Sequence, residues 1–198
     1  MSALAFPLTE TARRVSDDER ARILADPGFG RWYTDFMAHA RWTIDEGWSS
    51  AGIIPFGPLQ MSPASAVLHY GQEIFEGLKA FRHADGSVWT FRPELNAERL
   101  QRSARRLALP ELPVADFLTS LTALVAADEP WVPVPSGEES LYLRPFMFAS
   151  EEFLGVRASH LVNYYVIASP AGDYFPRGVQ PLVVWVADQY SRTGAGGT

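Results

Sequence analysis

Cysteine is absent from the 198 residues, so neither a disulfide framework nor a thiolate metal site is available. Lysine is nearly absent as well. Lys79 is the only one among the 17 basic residues, and arginine carries the rest of the positive charge. Chemistry that requires a side-chain amine therefore has one candidate within this sequence. The opening stretch Met1–Val15 contains no sustained apolar run, so it reads as neither a secretory signal nor a membrane anchor, and a cytoplasmic protein is expected. Positive charge is also in short supply, since the net charge is −6. An acidic chain is a poor non-specific partner for nucleic acid, whose affinity scales with the cations supplied. The histidines, His39, His69, His83 and His160, show no ligand spacing with carboxylates, and no metal is expected. No G-x-S-x-G, P-loop or G-x-G-x-x-G string occurs.

What is present suits a globular fold: 47% hydrophobic, 13% aromatic and 20% charged residues. The length fits one large domain, or one domain and the beginning of a second. Ser16-Asp17-Asp18-Glu19 has the form of a capping box opening a helix through Leu24. Alternation of polarity predicts a strand over Tyr33–Ile44, turned by Asp45-Glu46-Gly47. Ile53–Pro63, broken by prolines, reads as a short strand and loop. Glu76–Arg82 and Val88–Arg92 flank His83-Ala84-Asp85-Gly86, a hairpin signal. Helical spacing marks Glu94–Leu107 and Val114–Ala127. Further strands are expected at Ser140–Phe148, Leu161–Ala168 and Leu182–Val186. The last is a continuous apolar run of the kind covered on both faces, yet few residues remain to cover it, and the sequence reads as truncated.

Two constellations could carry chemistry. Arg99 lies one turn into the helix that follows the hairpin, where its guanidinium could meet an anion bidentately. The same helix carries Arg102, Arg105 and Arg106, so a solvated basic face is the alternative. Tyr142 and Arg144 alternate on a strand, which sets a phenol beside a guanidinium on one face. An ordinary half-exposed strand would look the same. Pro145 suggests a sheet edge or a bulge there.

Longer strings narrow the choice. Leu68–Arg82 (LHYGQEIFEGLKAFR), Asn96-Ala97-Glu98-Arg99-Leu100, Leu141–Phe148 (LYLRPFMF), Ser169–Phe175 (SPAGDYF) and Gln189–Thr198 (QYSRTGAGGT) keep the order and spacing of matching segments in one family. Together they resemble the first half of the branched-chain amino-acid aminotransferases, fold-type IV enzymes that use pyridoxal 5'-phosphate. The resemblance implies an α/β (α+β) fold: a small N-terminal domain with an antiparallel sheet and flanking helices, plus the first strand of a second domain. It places the small domain at 1–172, a linker at 173–181 and the start of the cofactor domain at 182–198. It implies transfer of nitrogen from leucine, isoleucine or valine to 2-oxoglutarate, and a homodimer.

By that resemblance Arg99 matches the arginine that holds the cofactor phosphate. Phe29, Phe75, Tyr142, Arg144 and Tyr174 match residues walling the substrate pocket. Tyr70 and Val156, the latter in the Leu154-Gly155-Val156 loop, match substrate-site segments lent across the dimer. The lysine that carries the cofactor is expected beyond Thr198, so no catalytic residue is expected within the chain, and Lys79 matches a hairpin position instead. Two other readings share the strings: a non-catalytic binding module built on the same domain, and an aminotransferase of this fold with aromatic, methionine or D-amino-acid specificity.

Overall fold

The computed structural model describes residues 4–9, 14–135, 137–173, 178 and 180–189. The first helix, α1 (Asp17–Ala25), begins where the capping box places it, with the Ser16 hydroxyl accepting from the Glu19 N–H at 3.3 Å. Next come β1 (Phe36–Thr43), β2 (Gly47–Pro55), the short α2 (Ala66–Tyr70), β3 (Glu73–Phe75), and the hairpin β4 (Leu78–Arg82) and β5 (Val88–Thr90). Helices α3 (Pro93–Arg106) and α4 (Val114–Ala127) follow, then the long strands β6 (Ser140–Ala149) and β7 (Leu161–Ala171).

All these strands join one seven-stranded antiparallel sheet in the order β2-β1-β7-β6-β4-β5, with β3 pairing β6 beside β4. The expected mixture of antiparallel sheet and flanking helices is what forms. One face is the core. Phe36, Ala38, Ala40, Leu141, Leu143, Val162, Tyr164 and Val166 project from it, and the apolar stripes of α3 and α4 cover it through Leu100, Phe117, Leu121 and Leu124. Full burial of side chains such as Phe117 and Leu124 contributes about 1.5–3 kcal/mol each. Tyr164 is wholly enclosed, and its hydroxyl is matched by Ser120 Oγ at 2.9 Å. Burial pushes that phenol well above its ordinary range.

The opposite face is only partly covered. Met37, Phe148 and Tyr165 form a small apolar cluster there, edged by Ile54, Leu59, Phe146 and Ile167. His39, Phe146, Phe148 and Tyr165 stack in a row across it.

Three expectations need correction. Strand β2 starts at Gly47, not near Ile53, because β1 offers a complete ladder from Thr43↔Gly47 to Phe36↔Pro55, with an irregularity between His39 and Arg41. Pro145 lies at neither an edge nor a bulge, since the β6–β7 register runs through it unbroken. It sits within β6, paired with Val166 on one side, and its carbonyl accepts from the Glu76 N–H at 2.8 Å on the other. N–H and C=O of a strand residue point the same way, so the missing donor of Pro145 faces the gap between β3 and β4, where no ladder partner is needed. Leu182–Val186 forms no strand: Val183 is 98% exposed, and no neighbouring strand pairs with the run among the described residues. An apolar run becomes a strand only when a sheet edge supplies its hydrogen bonds.

Candidate active site

The site is built where β3 gives way to β4. Both strands pair β6, Phe75 opposite Phe146 and Leu78 opposite Leu143, and Glu76-Gly77 spans the gap between them. Glu76 turns its carboxylate inward, where only 3% of the side chain is exposed. It is fully answered by α3. Arg99 donates Nε to Oε1 at 2.6 Å and Nη2 to Oε2 at 2.7 Å, and Asn96 Nδ2 donates to Oε2 at 2.8 Å. Asn96 also reaches the Gly77 carbonyl at 3.3 Å. This is a bidentate, charge-assisted pair, and it raises the Arg99 pKa further, first through the hydrogen bonds and then through the charge of Glu76.

A guanidinium has five N–H donors. Glu76 takes two of those on Arg99, and the others find no acceptor among the described residues. The Arg99 side chain is 59% exposed. Its outer edge is thus a donor fork at the surface, fixed from behind.

On the other side of Gly77 stands Tyr142. A Cβ added at Gly77 would overlap the Tyr142 hydroxyl, so the close approach requires glycine here. Gly77→Ala should therefore push the phenol off its position; a crystal structure of the variant with Tyr142 unmoved would contradict this. The Tyr142 hydroxyl also accepts from Arg144, at 2.8 Å from Nη2 and 3.3 Å from Nε. The Arg144 guanidinium in turn lies 4.5 Å from the centre of the Phe75 ring, a cation–π contact. Phe29 meets Tyr142 edge-on at 5.2 Å. The chain holds Phe29 there through Gly28 and Gly30, both with left-handed backbones, and through the Gly172 N–H bonded to the Gly28 carbonyl at 2.9 Å.

Phe29, Tyr33, Tyr142, Arg144 and Ile167 line a cleft of about 150 Å³. That is smaller than a complete small-molecule site and suits a side chain. Of the expected site residues, the fold brings together Phe29, Phe75, Tyr142 and Arg144, and ties Arg99 to them through Glu76-Gly77. Tyr174 lies outside the described residues.

Tyr70 and Val156 are elsewhere. Tyr70 stacks on Phe153 at 6.2 Å, and Val156 stands 99% exposed in the loop just beyond. That loop is braced by Arg157, which bonds both oxygens of Glu151 at 2.9 and 2.6 Å and lies 3.9 Å from the centre of the Phe153 ring. Hydrogen bonds from Arg157 hold the Glu151 carboxyl down to about 2.

Lys79 pairs with Tyr142 across the strands and leans over Phe81 at 6.0 Å. Sequence reading did not single out Glu76, Asn96 or Tyr33. Glu76 and Arg99 lie 23 residues apart on different elements, a spacing that no helical or strand period connects. No helix among the described residues is long and apolar enough to cross a membrane.

Comparison with known proteins gives close relatives. The chain is 56% identical over 195 residues, 98% of its length, to the branched-chain-amino-acid aminotransferase of Mycolicibacterium smegmatis. It is 50% identical over 196 residues to that of Mycobacterium tuberculosis, and 43% identical over 194 residues to branched-chain-amino-acid aminotransferase 2 of Bacillus subtilis. The chain spans about half the length of these curated relatives, 53% in each case. No family profile matches it. Among solved structures the fold is shared with the branched-chain amino acid aminotransferase of Escherichia coli, with a TM-score of 0.52 at 21% identity over 71% of this chain and 42% of that one. It is shared also with the enzyme of Thermoproteus uzoniensis solved with norvaline, with a TM-score of 0.52 at 22% identity over 69% of this chain and 42% of that one. Another structure of a branched-chain amino acid aminotransferase, solved with pyridoxamine 5'-phosphate, gives a TM-score of 0.53 at 22% identity over 72% of this chain and 43% of that one.

Proposed function

The chain belongs to the branched-chain-amino-acid aminotransferases, and from that premise we propose that it supplies the phosphate grip and the side-chain pocket of a pyridoxal 5'-phosphate enzyme. That enzyme moves nitrogen from leucine, isoleucine or valine to 2-oxoglutarate. The observation that carries the reading is the junction at Gly77, where an anion-binding fork and an aromatic cleft share one strand break.

The donor set fits the cofactor. The outer edge of Arg99 presents N–H groups of the geometry and charge a phosphate needs. Bound there, the cofactor would supply the electron sink that lets an amino acid lose its Cα proton. The chain's own residues do the rest of what can be read here. Phe29, Phe75 and the Tyr142 ring exclude water from around a branched alkyl group. Arg144, backed by Phe75, and the Tyr142 hydroxyl can receive a carboxylate in the same cleft, as glutamate requires. One pocket then serves both half-reactions.

The amine that carries the cofactor is assigned to the other half of the protein, since Lys79 leans over Phe81. The same proposal takes residues 1–172 as the small domain, 173–181 as the linker and 182–198 as the start of the cofactor domain. Tyr174 lies outside the described residues, and its place in the pocket wall is assigned from the resemblance alone. Tyr70 and Val156 are assigned to the site of a second copy in a cytoplasmic homodimer, which accounts for their position apart from Tyr142 and Arg144.

Arg144→Ala in the full-length protein tests the pocket. Glutamate turnover should fall by about a hundredfold, the worth of one charge-assisted contact, while leucine turnover changes little. Equal losses for the two substrates would remove the carboxylate role.

A further inference from the structure

Glu76 is an unusual neighbour for an anion site. A buried carboxylate beside the cation should weaken that cation's pull on a phosphate. It stays, and every oxygen it has is used: Oε1 by Arg99, Oε2 by Arg99 and Asn96. Its backbone is pinned too, through the Glu76 N–H to the Pro145 carbonyl at 2.8 Å. What it returns is orientation. An arginine side chain has several rotatable bonds and loses that freedom when it grips a ligand. With Nε and Nη2 already fixed on Glu76, the guanidinium plane is set before any anion arrives, and the free edge points outward.

We propose that Glu76 is the positioning residue of the phosphate site: it sets the plane of Arg99, with Asn96 holding the carboxylate square, and so creates affinity despite its own charge. This rests on the reading of Arg99 as the phosphate ligand. The two effects of Glu76 have opposite signs, which makes them separable. Charge alone predicts that removing it tightens phosphate binding. Orientation predicts that removing it loosens binding. Glu76→Gln keeps the shape but leaves one oxygen for three donors, and turns an amide N–H₂ toward groups that also donate.

The test is cofactor titration of the full-length apoprotein, followed by absorbance, with pyridoxal 5'-phosphate and with pyridoxal, which lacks the phosphate. In Glu76→Gln the affinity for pyridoxal 5'-phosphate should fall about tenfold, the scale seen when partners that orient a ligating group are removed. Affinity for pyridoxal should stay put. Added to Arg99→Ala, the Glu76→Gln change should have no further effect, because Glu76 acts through Arg99.

Unchanged or tighter pyridoxal 5'-phosphate binding in Glu76→Gln, with weakened binding in Arg99→Ala, would overturn the positioning role and leave the phosphate reading standing. Unchanged binding in Arg99→Ala would overturn that reading and this inference with it. Parallel weakening toward both probes would show a general structural loss and overturn the positioning role. Should Glu76→Gln fail to fold, Asn96→Ala removes one tie and keeps the charge. It should loosen pyridoxal 5'-phosphate in the same direction by less, and no loosening would count as refutation.

Discussion

Between pH 5 and pH 8 the protein should lose up to about 3 kcal/mol of stability, and Asp128→Asn should remove most of that slope. Asp128 caps the end of α4 in a place where only 1% of the residue is exposed. Its Oδ1 is buried without a hydrogen-bond partner, and Oδ2 accepts from the Phe36 N–H at a long 3.4 Å. The neighbouring carboxylate, Asp35, is already engaged by the Val15 N–H at 2.8 Å and by Trp131 Nε1 at 2.9 Å.

Burial, outweighing a hydrogen bond from Thr34 and reinforced by the charge of Asp35, pushes the Asp128 carboxyl up to about 7 from 3.8. A raised pKa means that the folded state holds the proton more tightly than the unfolded chain. Its contribution is complete below the unfolded value of 3.8 and disappears as pH rises through about 7. The span from 3.8 to about 7, at about 1.4 kcal/mol per pH unit, sets an upper scale of roughly 4 kcal/mol, of which about 3 kcal/mol falls between pH 5 and pH 8. Asparagine cannot ionise, so the variant should gain on the parent as pH rises. Urea titrations at pH 5 and pH 8 measure it. A slope as steep in Asp128→Asn as in the parent would assign the effect to other groups.

Arg99→Ala should weaken retention of pyridoxal 5'-phosphate by about a hundredfold, the worth of a charged hydrogen-bonding partner to a phosphate. Dialysis of the full-length protein followed by absorbance would show it, and undiminished retention would exclude the phosphate role. The variant carries a second consequence. It leaves Glu76 buried with its charge unanswered, and breaking such a pair typically costs about 3–5 kcal/mol. Lower melting is therefore expected alongside weaker binding. Arg99→Lys separates the two: an ammonium can still answer Glu76 but offers no planar fork, so stability should recover further than affinity.

Much of this architecture is visible in local chemistry. The Ser16 cap, the turn at His83–Gly86 and the spacing of Leu100, Phe117, Leu121 and Leu124 each encode their element through neighbours in the chain. The pocket was legible in part for the same reason, because strand alternation alone puts Tyr142 beside Arg144. What escaped depends on partners far away in sequence. Gly47–Gly52 is a poor strand by composition and becomes one because β1 lies beside it. Pro145 looked like an edge because nothing local reveals that its missing donor faces a gap between two other strands. Leu182–Val186 shows the reverse case, a strand-like composition with no ladder to join. Glu76 read as one letter of a motif, and its partner was visible only in three dimensions.

The position of Pro145 has a bearing on engineering. That residue has no N–H of its own to offer, and the break at 76–77 is tied to the middle of β6 by the Glu76 N–H bond to its carbonyl at 2.8 Å. A change that shifts residues 76–77 therefore pulls on the sheet as well, so the site and the scaffold turn on one spindle.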